Sequence, residues 1–179
     1  MIFKLFARRT DTDAVERLYG QIMAAARRPE LFLGRYGAPD TLDGRFDLLV
    51  VHLFPVVRRL AALPPPAPAF AQALSDHVFL GFDRALREMG VGDLAVPKRM
   101  KKLAADYNGR RQAYESALQA GGEDELAAAV ARNVLGSADA GRGRALARYM
   151  LAVVRALEGS QFGDFEAGRI IFPDPTTIA

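Results

Sequence analysis

Cysteine and tryptophan are both absent from this chain of 179 residues, and its two histidines are His52 and His77. Without cysteine there can be no disulfide, no thiolate metal ligand and no cysteine nucleophile. Two histidines alone do not provide the ligand spacing of a zinc site. The sequence also lacks a GxGxxG loop, a P-loop and a nucleophile elbow. We therefore expect no metal, no cofactor and no catalytic residue, and a protein that is not an enzyme.

Long apolar segments are also lacking. The longest apolar run, residues 48–57, is interrupted by His52 and Pro55, whereas a membrane-spanning helix needs about 20 apolar residues. The first residues, MIFKLFARR, place their charges after the apolar side chains, which is unlike a secretory signal. These apolar side chains either pack on the first helix or dip into a membrane surface. We expect a cytoplasmic protein, with a peripheral position on the cytoplasmic membrane left open.

The composition is that of a globular domain. Half of the residues are hydrophobic and a quarter are charged, which is enough for one sizeable core. The net charge is only +3, so an electrostatic partner would have to meet a local basic patch. We expect one domain over residues 1–179, with no specific binding to DNA.

Helical periodicity dominates the chain and predicts an all-α fold of six to seven helices with a non-helical C-terminal tail. Thr10 to Asp13 can cap the first helix, and Asp40 or Thr41 can cap the second. Pro55 should kink the second helix or split it in two. Six long helices are predicted. The first ends before Pro29 and the second at about Leu63, and the other four cover residues 70–89, 97–120, 123–135 and 143–158.

The stretch LREMGVGDLAVPKRMKKLAADYNGRR, residues 86–111, concentrates basic side chains around the start of the fourth helix. At about 100° per residue, one helix face is apolar. It carries Met100, Leu103, Tyr107, Tyr114 and Leu118. The opposite face carries Lys98, Lys101 and Lys102, which a solvated face would also explain.

Arg111 falls within the apolar arc of the same helix. A buried guanidinium needs a partner, because an unpaired buried charge costs several kcal/mol. Asp40, Asp93 and Glu88 are candidate partners. Arg111 is therefore predicted to be a structural pin or a ligand at the floor of a groove.

Three further features carry charge. Arg45, His52 and Arg59 form a polar stripe on the second helix, where a lone histidine is usually a satisfied core residue. Asp83 and Arg87 stand four residues apart and are expected to pair. The sixth helix is basic and amphipathic, which fits packing on the core, anionic lipid or RNA. Its basic side chains are those of Arg142, Arg144, Arg148 and Arg155.

Three blocks in this order resemble the ubiquinol-cytochrome c chaperone family. They are RRPELFLGRYGAPDTLDGRFDLLVVHLFPVVRRL, DHVFLGFDRALREMGVGDLAVPKRMKKLAADYNGRRQAYESAL and LAAAVARNVL, and they cover roughly residues 27–135. The resemblance implies a helical, non-enzymatic assembly factor of the respiratory bc1 complex. It also implies binding of newly synthesised, apo-cytochrome b, with the ribosome near its tunnel exit, the inner-membrane surface and a second assembly factor as further candidate partners.

The motifs of the family fall on residues that we predict to bind the client protein. A groove with an apolar floor and charged rims suits a chaperone of a membrane protein, because burial gives affinity and charge gives orientation. The segment LREMGVGDLAVPKRMKK would form one rim. The predicted partner-binding residues are Asp40, Arg45, His52, Arg87, Asp93, Lys98, Lys101, Lys102, Arg110 and Tyr114.

An alternative function is a ribosome- or RNA-binding module. It would use the basic helices predicted at residues 97–120 and 142–158. Its affinity should fall steeply with salt, because binding to phosphates releases counterions.

Overall fold

Seven α-helices make up most of the described chain. The computed structural model describes the backbone of residues 2–178 and the side chains of residues 12–178. Two 3-10 turns, Pro29–Phe32 and Pro175–Thr177, complete the helical structure, and residues 2–178 contain no strand. The predicted all-α fold is confirmed. The helices are α1 Ile2–Ala26, α2 Leu42–Ala61, α3 Ala67–Glu88, α4 Val96–Ala120, α5 Glu123–Leu135, α6 Ala140–Glu158 and α7 Phe162–Glu166.

Side chains of Thr41 and Asp139 cap the starts of α2 and α6. Thr41 caps α2, because its hydroxyl accepts a hydrogen bond from the Gly44 backbone N–H at 3.1 Å. Pro97 stands in the first turn of α4, as predicted. The start predicted for α1 is wrong, since the helix begins at Ile2 and not near Thr10. The predicted packing of the side chains of residues 1–9 lies outside the described residues.

Pro55 does not split α2, which runs unbroken from Leu42 to Ala61. A proline removes one backbone donor and usually bends or breaks a helix. Here α2 is buried along most of its length and contacts α1, α3, α4, α5 and α6. Tertiary packing on all sides therefore holds the helix together, and α2 is the central element of the core.

Glycine at position 143 allows α6 to lie close to α5. A Cβ atom added to Gly143 would stand 2.1 Å from the carbonyl oxygen of Ala127 and 2.9 Å from the backbone nitrogen of Ala131. No side chain fits into that space, so the two helices can cross at this distance only with glycine here.

The C-terminal tail is fastened to the first helix and to the loop after it. Gln21 donates a hydrogen bond to the Gly168 carbonyl, Arg28 to the Pro173 carbonyl and the Tyr36 hydroxyl to the Pro175 carbonyl, at 2.5, 2.5 and 2.7 Å. Phe165, Ile170 and Phe172 are buried in the core. The tail is therefore part of the domain, and outside α7 and the final 3-10 turn it is non-helical as predicted.

Candidate partner-binding site

Two adjoining depressions lie along α4. The larger has a volume of about 480 Å³ and is lined by residues of α2, α4 and α6. The smaller has a volume of about 300 Å³ and is lined by residues of α2, α3 and α4. Val57 and Arg111 line both, so the two depressions adjoin each other, and together they are called here the α4 groove.

The α4 groove has an apolar floor and charged rims. Phe54, Pro55 and Val154 line the larger depression, and Phe79 and Tyr107 line the smaller one. Its charged lining residues carry both signs. They are Arg58, Arg59, Asp76, Arg111, Glu115 and Glu158.

Arg111 is exposed, so the prediction that it is a buried, paired pin is wrong. Two of its predicted partners pair elsewhere, Asp40 with Arg45 and Asp93 with Arg87. The buried face of α4 also includes Ala117, which turns the face away from Arg111 and towards Arg110. The alternative prediction put Arg111 at the floor of a groove, and the structure shows Arg111 in the lining of the α4 groove.

The buried ion pair on α4 belongs to Arg110. Its Nε lies 2.7 Å from Oδ1 of Asp47 on α2, and the two side chains are only 18% and 8% exposed. The guanidinium also lies over the ring of Phe46, 5.4 Å from its centroid. Burial raises the pKa of Asp47 to about 6, and the positive charge of Arg110 opposes that rise. Arg110, predicted to bind a partner, thus holds α4 against α2.

Aromatic rings continue from this ion pair to the groove. Phe46 meets Phe82 edge to face, Phe82 meets Phe79, and Phe79 meets Tyr107, with ring centroids 5.4, 6.4 and 5.5 Å apart. Phe79 and Phe82 are half-buried. The row therefore joins α2, α3 and α4 and presents part of its apolar surface at the groove.

His52 is fully buried and makes hydrogen bonds at both ring nitrogens. Nδ1 donates to the Leu48 carbonyl at 2.7 Å, so Nε2 must be the atom that accepts from the Tyr149 hydroxyl at 2.9 Å. Burial lowers the pKa of His52 to about 4, which keeps the ring neutral. The reading of a satisfied core histidine is confirmed, and the side chain has no surface for contact with a partner.

Tyr114 is also fully buried and packs edge to face on Phe54, with ring centroids 5.8 Å apart. Burial raises the pKa of its hydroxyl. Direct contact of a partner with Tyr114, as predicted, is not possible in this conformation. Its ring instead supports the wall of the groove through Phe54, which lines it.

Several other predicted residues form surface ion pairs. Arg45 Nε lies 2.6 Å from Asp40 Oδ1, and both side chains are exposed. Arg87 lies 2.7 Å from Asp83 and 2.6 Å from Asp93. The expected Asp83–Arg87 pair is confirmed, and Asp93 joins it from the turn between α3 and α4. Such exposed pairs add little stability, typically below about 1 kcal/mol.

The start of α4 is strongly basic. Lys98, Lys101 and Lys102 are all exposed, as the helical wheel predicts, and Lys102 pairs with Asp106 at 2.6 Å. Residues 84–111 contain eight Lys or Arg and three Asp or Glu, an excess larger than the net charge of the whole chain. The basic start of α4 and the α4 groove lie along one helix, since Lys101 is one turn from Ala104 in the groove lining.

Two of the basic side chains of α6 face acidic ones on α5. Arg144 lies 3.0 Å from Asp124, and Arg148 lies 2.8 Å from Glu123. Both acids belong to the first turn of α5, where a negative charge is favourable next to the helix N-terminus. The positive potential of α6 is therefore partly neutralised, which leaves the start of α4 as the more basic surface.

Comparison with known proteins identifies the family. The profile described as "Ubiquinol-cytochrome C chaperone" matches residues 35–172, and the chain belongs to this family. It is thereby an assembly factor of ubiquinol-cytochrome c reductase, the bc1 complex. The crystal structure of the Cbp3 homolog from Brucella abortus matches with a TM-score of 0.86 and 36% sequence identity over 100% of both chains. A search of curated proteins finds no match.

Between residues 2 and 178, no helix combines the length and apolar character needed to cross a membrane. Within the same part of the chain, no group of three or more His, Cys, Asp or Glu side chains is placed to hold a metal ion.

Proposed function

We propose that this protein binds newly synthesised cytochrome b and holds it during assembly of the bc1 complex. The observation that supports this client is the α4 groove, which combines an apolar floor with charged rims. Cytochrome b is a membrane protein, so before assembly its apolar segments must be shielded and the charged loops between them must be oriented. The groove offers burial for the former and ion pairs for the latter.

The lining of the groove fits a holding role. Arg111 stands midway along it as an exposed cation. An apolar surface interrupted by charged side chains gives limited burial and hence reversible binding, since affinity depends on the anchors that become desolvated. Release of the client to the next assembly step then needs no covalent chemistry, in keeping with a non-enzymatic factor.

We assign the predicted charged set to the periphery of this site. Lys98, Lys101 and Lys102 would extend one rim beyond the groove, and Arg87 with Asp93 would fix the turn that precedes it. Asp40 and Arg45 lie on the surface at the start of α2. His52, Tyr114 and Arg110 would act from beneath, by packing. The protein would work in the cytoplasm, with a second assembly factor as an additional partner.

The experiment is capture of cytochrome b from detergent-solubilised membranes of the native cell. Arg111→Glu reverses the charge in the middle of the groove and should lower the captured amount several-fold. Arg132→Glu makes the same charge change on the exposed side of α5 and should capture as much as the wild type. Equal capture by both variants, or no capture by the wild type, would contradict the proposal.

A ribosome- or RNA-binding role is the second candidate, supported by the basic excess between residues 84 and 111. It predicts binding of ribosomes or RNA that weakens by orders of magnitude between low and physiological salt. Reversal of Lys98, Lys101 and Lys102 to Glu should abolish that binding. The Arg144 and Arg148 side chains, which face acids of α5, should matter less.

A further inference from the structure

The turn between α3 and α4 exposes aliphatic side chains that pack on nothing in the domain. Leu94 is 98% exposed and Met89 is 54% exposed. A fully exposed leucine gains none of the free energy that burial of its side chain would contribute to folding. A side chain held in this way is available for an apolar partner outside the domain.

The shape of this turn selects the kind of partner. Residues 89–95 connect two long helices at the end of their hairpin, and neither Leu94 nor Met89 lines the α4 groove. At 98% exposure, the side chain of Leu94 projects from the turn into solvent. A projecting apolar side chain suits insertion into a soft interface, as in the amphipathic elements that lie on lipid bilayers.

Positive charge surrounds the exposed turn. Lys98, Arg99 and Lys101 are exposed in the first turns of α4, and side chains of a helix lean towards its N-terminus, which here is the turn. Among the described residues, none of these three has an ion-pair partner. Asp93, an acid of the turn itself, is engaged by Arg87 at 2.6 Å. Glu88 is the remaining exposed acid nearby.

We infer that the turn 89–95 and the first turns of α4 dock on the surface of a bilayer that contains anionic phospholipid. Leu94 and Met89 enter the interface, and Lys98, Arg99 and Lys101 meet the headgroups. The inference extends the proposed function, because docking by the start of α4 would bring the α4 groove close to a client that is inserted in the membrane.

Vesicle flotation of the full chain tests the inference. The protein should float with vesicles of phosphatidylcholine and phosphatidylglycerol and remain unbound with phosphatidylcholine alone. Lys98→Glu/Lys101→Glu and, separately, Met89→Ser/Leu94→Ser should each reduce the partition by at least about tenfold. Arg132→Glu/Arg142→Glu reverses two exposed arginines elsewhere and should float like the wild type.

Three results would overturn the inference. One is equal flotation of all variants. Another is loss of flotation in Phe3→Ser/Phe6→Ser with normal flotation of the Met89→Ser/Leu94→Ser variant, which would assign docking to the N-terminal segment. The third is the absence of vesicle binding alongside binding of RNA to the same lysines.

The client experiment separates this inference from the proposed function. Met89→Ser/Leu94→Ser leaves the groove lining unchanged, so it should capture detergent-solubilised cytochrome b like the wild type while losing flotation. Normal flotation of the wild type without capture of cytochrome b would leave the docking surface standing and refute the client.

Discussion

Arg110 of α4 and Asp47 of α2 form a buried ion pair, with 2.7 Å between Nε and Oδ1, while the next residue, Arg111, is exposed. One helical position thus separates a cation that holds the domain together from a cation that lines its groove. The two arginines are chemically identical and adjacent, so each serves as a control for the other.

Arg110→Ala should lower the free energy of unfolding by roughly 3 kcal/mol, because it leaves the Asp47 carboxylate buried without its counter-ion. Arg111→Ala should stay within about 0.5 kcal/mol of the wild type, as an exposed substitution usually does. Chemical denaturation measures both. Similar losses for the two variants would contradict the positions described here.

The cost of Arg110→Ala should depend on pH. Burial raises the pKa of Asp47 in the folded state to about 6, above its usual 3.8. The folded state therefore binds the proton more tightly, and this contribution to stability falls as the pH rises through that range. Without Arg110 the penalty for ionisation grows, so the variant should lose more stability at pH 8 than at pH 5.

Asp47→Asn in the Arg110→Ala background is the control for that pH dependence. An asparagine cannot ionise, so the difference in unfolding free energy between pH 5 and pH 8 that Asp47 contributes should disappear. Persistence of the full difference in the double variant would assign the titration to another group.

The pH dependence that His52 contributes to the free energy of unfolding should have the opposite sign. Its pKa is lowered to about 4 in the fold from 6.5, so the unfolded state binds the proton more tightly. The stability it contributes is present above pH 6.5 and is lost as the pH falls towards 4, by roughly 3 kcal/mol. The measurement is the pH slope of unfolding in the wild type compared with His52→Gln. Equal slopes would count against a buried neutral imidazole.

Gly143→Ala should destabilise the protein by about 1–3 kcal/mol, since the added methyl group collides with the backbone of α5 and the helices must separate. Gly109→Ala is the matched control in an exposed position of α4, where nothing lies within 4 Å of the new Cβ. That change should stabilise by up to about 1 kcal/mol through helix propensity alone. Thermal or chemical unfolding of the two variants should therefore shift in opposite directions.

Much of the fold follows from local sequence rules. The bounds of α5 coincide with the prediction, because acidic residues open it and Gly136 closes it in a left-handed conformation. α4 and α6 begin within a few residues of their predicted starts. The residues that set these bounds lie within one helical turn of the helix ends, so the bounds can be predicted without knowledge of tertiary contacts.

The buried pair on α4 could not be placed from the sequence to within one residue. Met100 and Tyr107 define an apolar face that includes both Arg110 and Arg111 within its margins, and only the burial of Ala117 selects Arg110. Asp47 is not among the predicted partners, although an aspartate between Phe46 and Leu48, next to the apolar run of α2, is a signal for a buried pair. The apolar periodicity of one helix does not show which other helix it packs against, because that depends on the tertiary structure.

The fastening of the tail to α1 and to the loop after it has a consequence for synthesis of the protein. Arg17, Gln21 and Arg28 donate to carbonyl groups of residues 166, 168 and 173, which are translated some 145–149 positions later. Contacts of such long sequence separation form late in folding. While the ribosome still holds residues 162–178, α1 lacks its contacts with the tail and the core lacks Phe165 and Phe172. Residues 162–178 must therefore emerge from the ribosome before the domain can complete its fold.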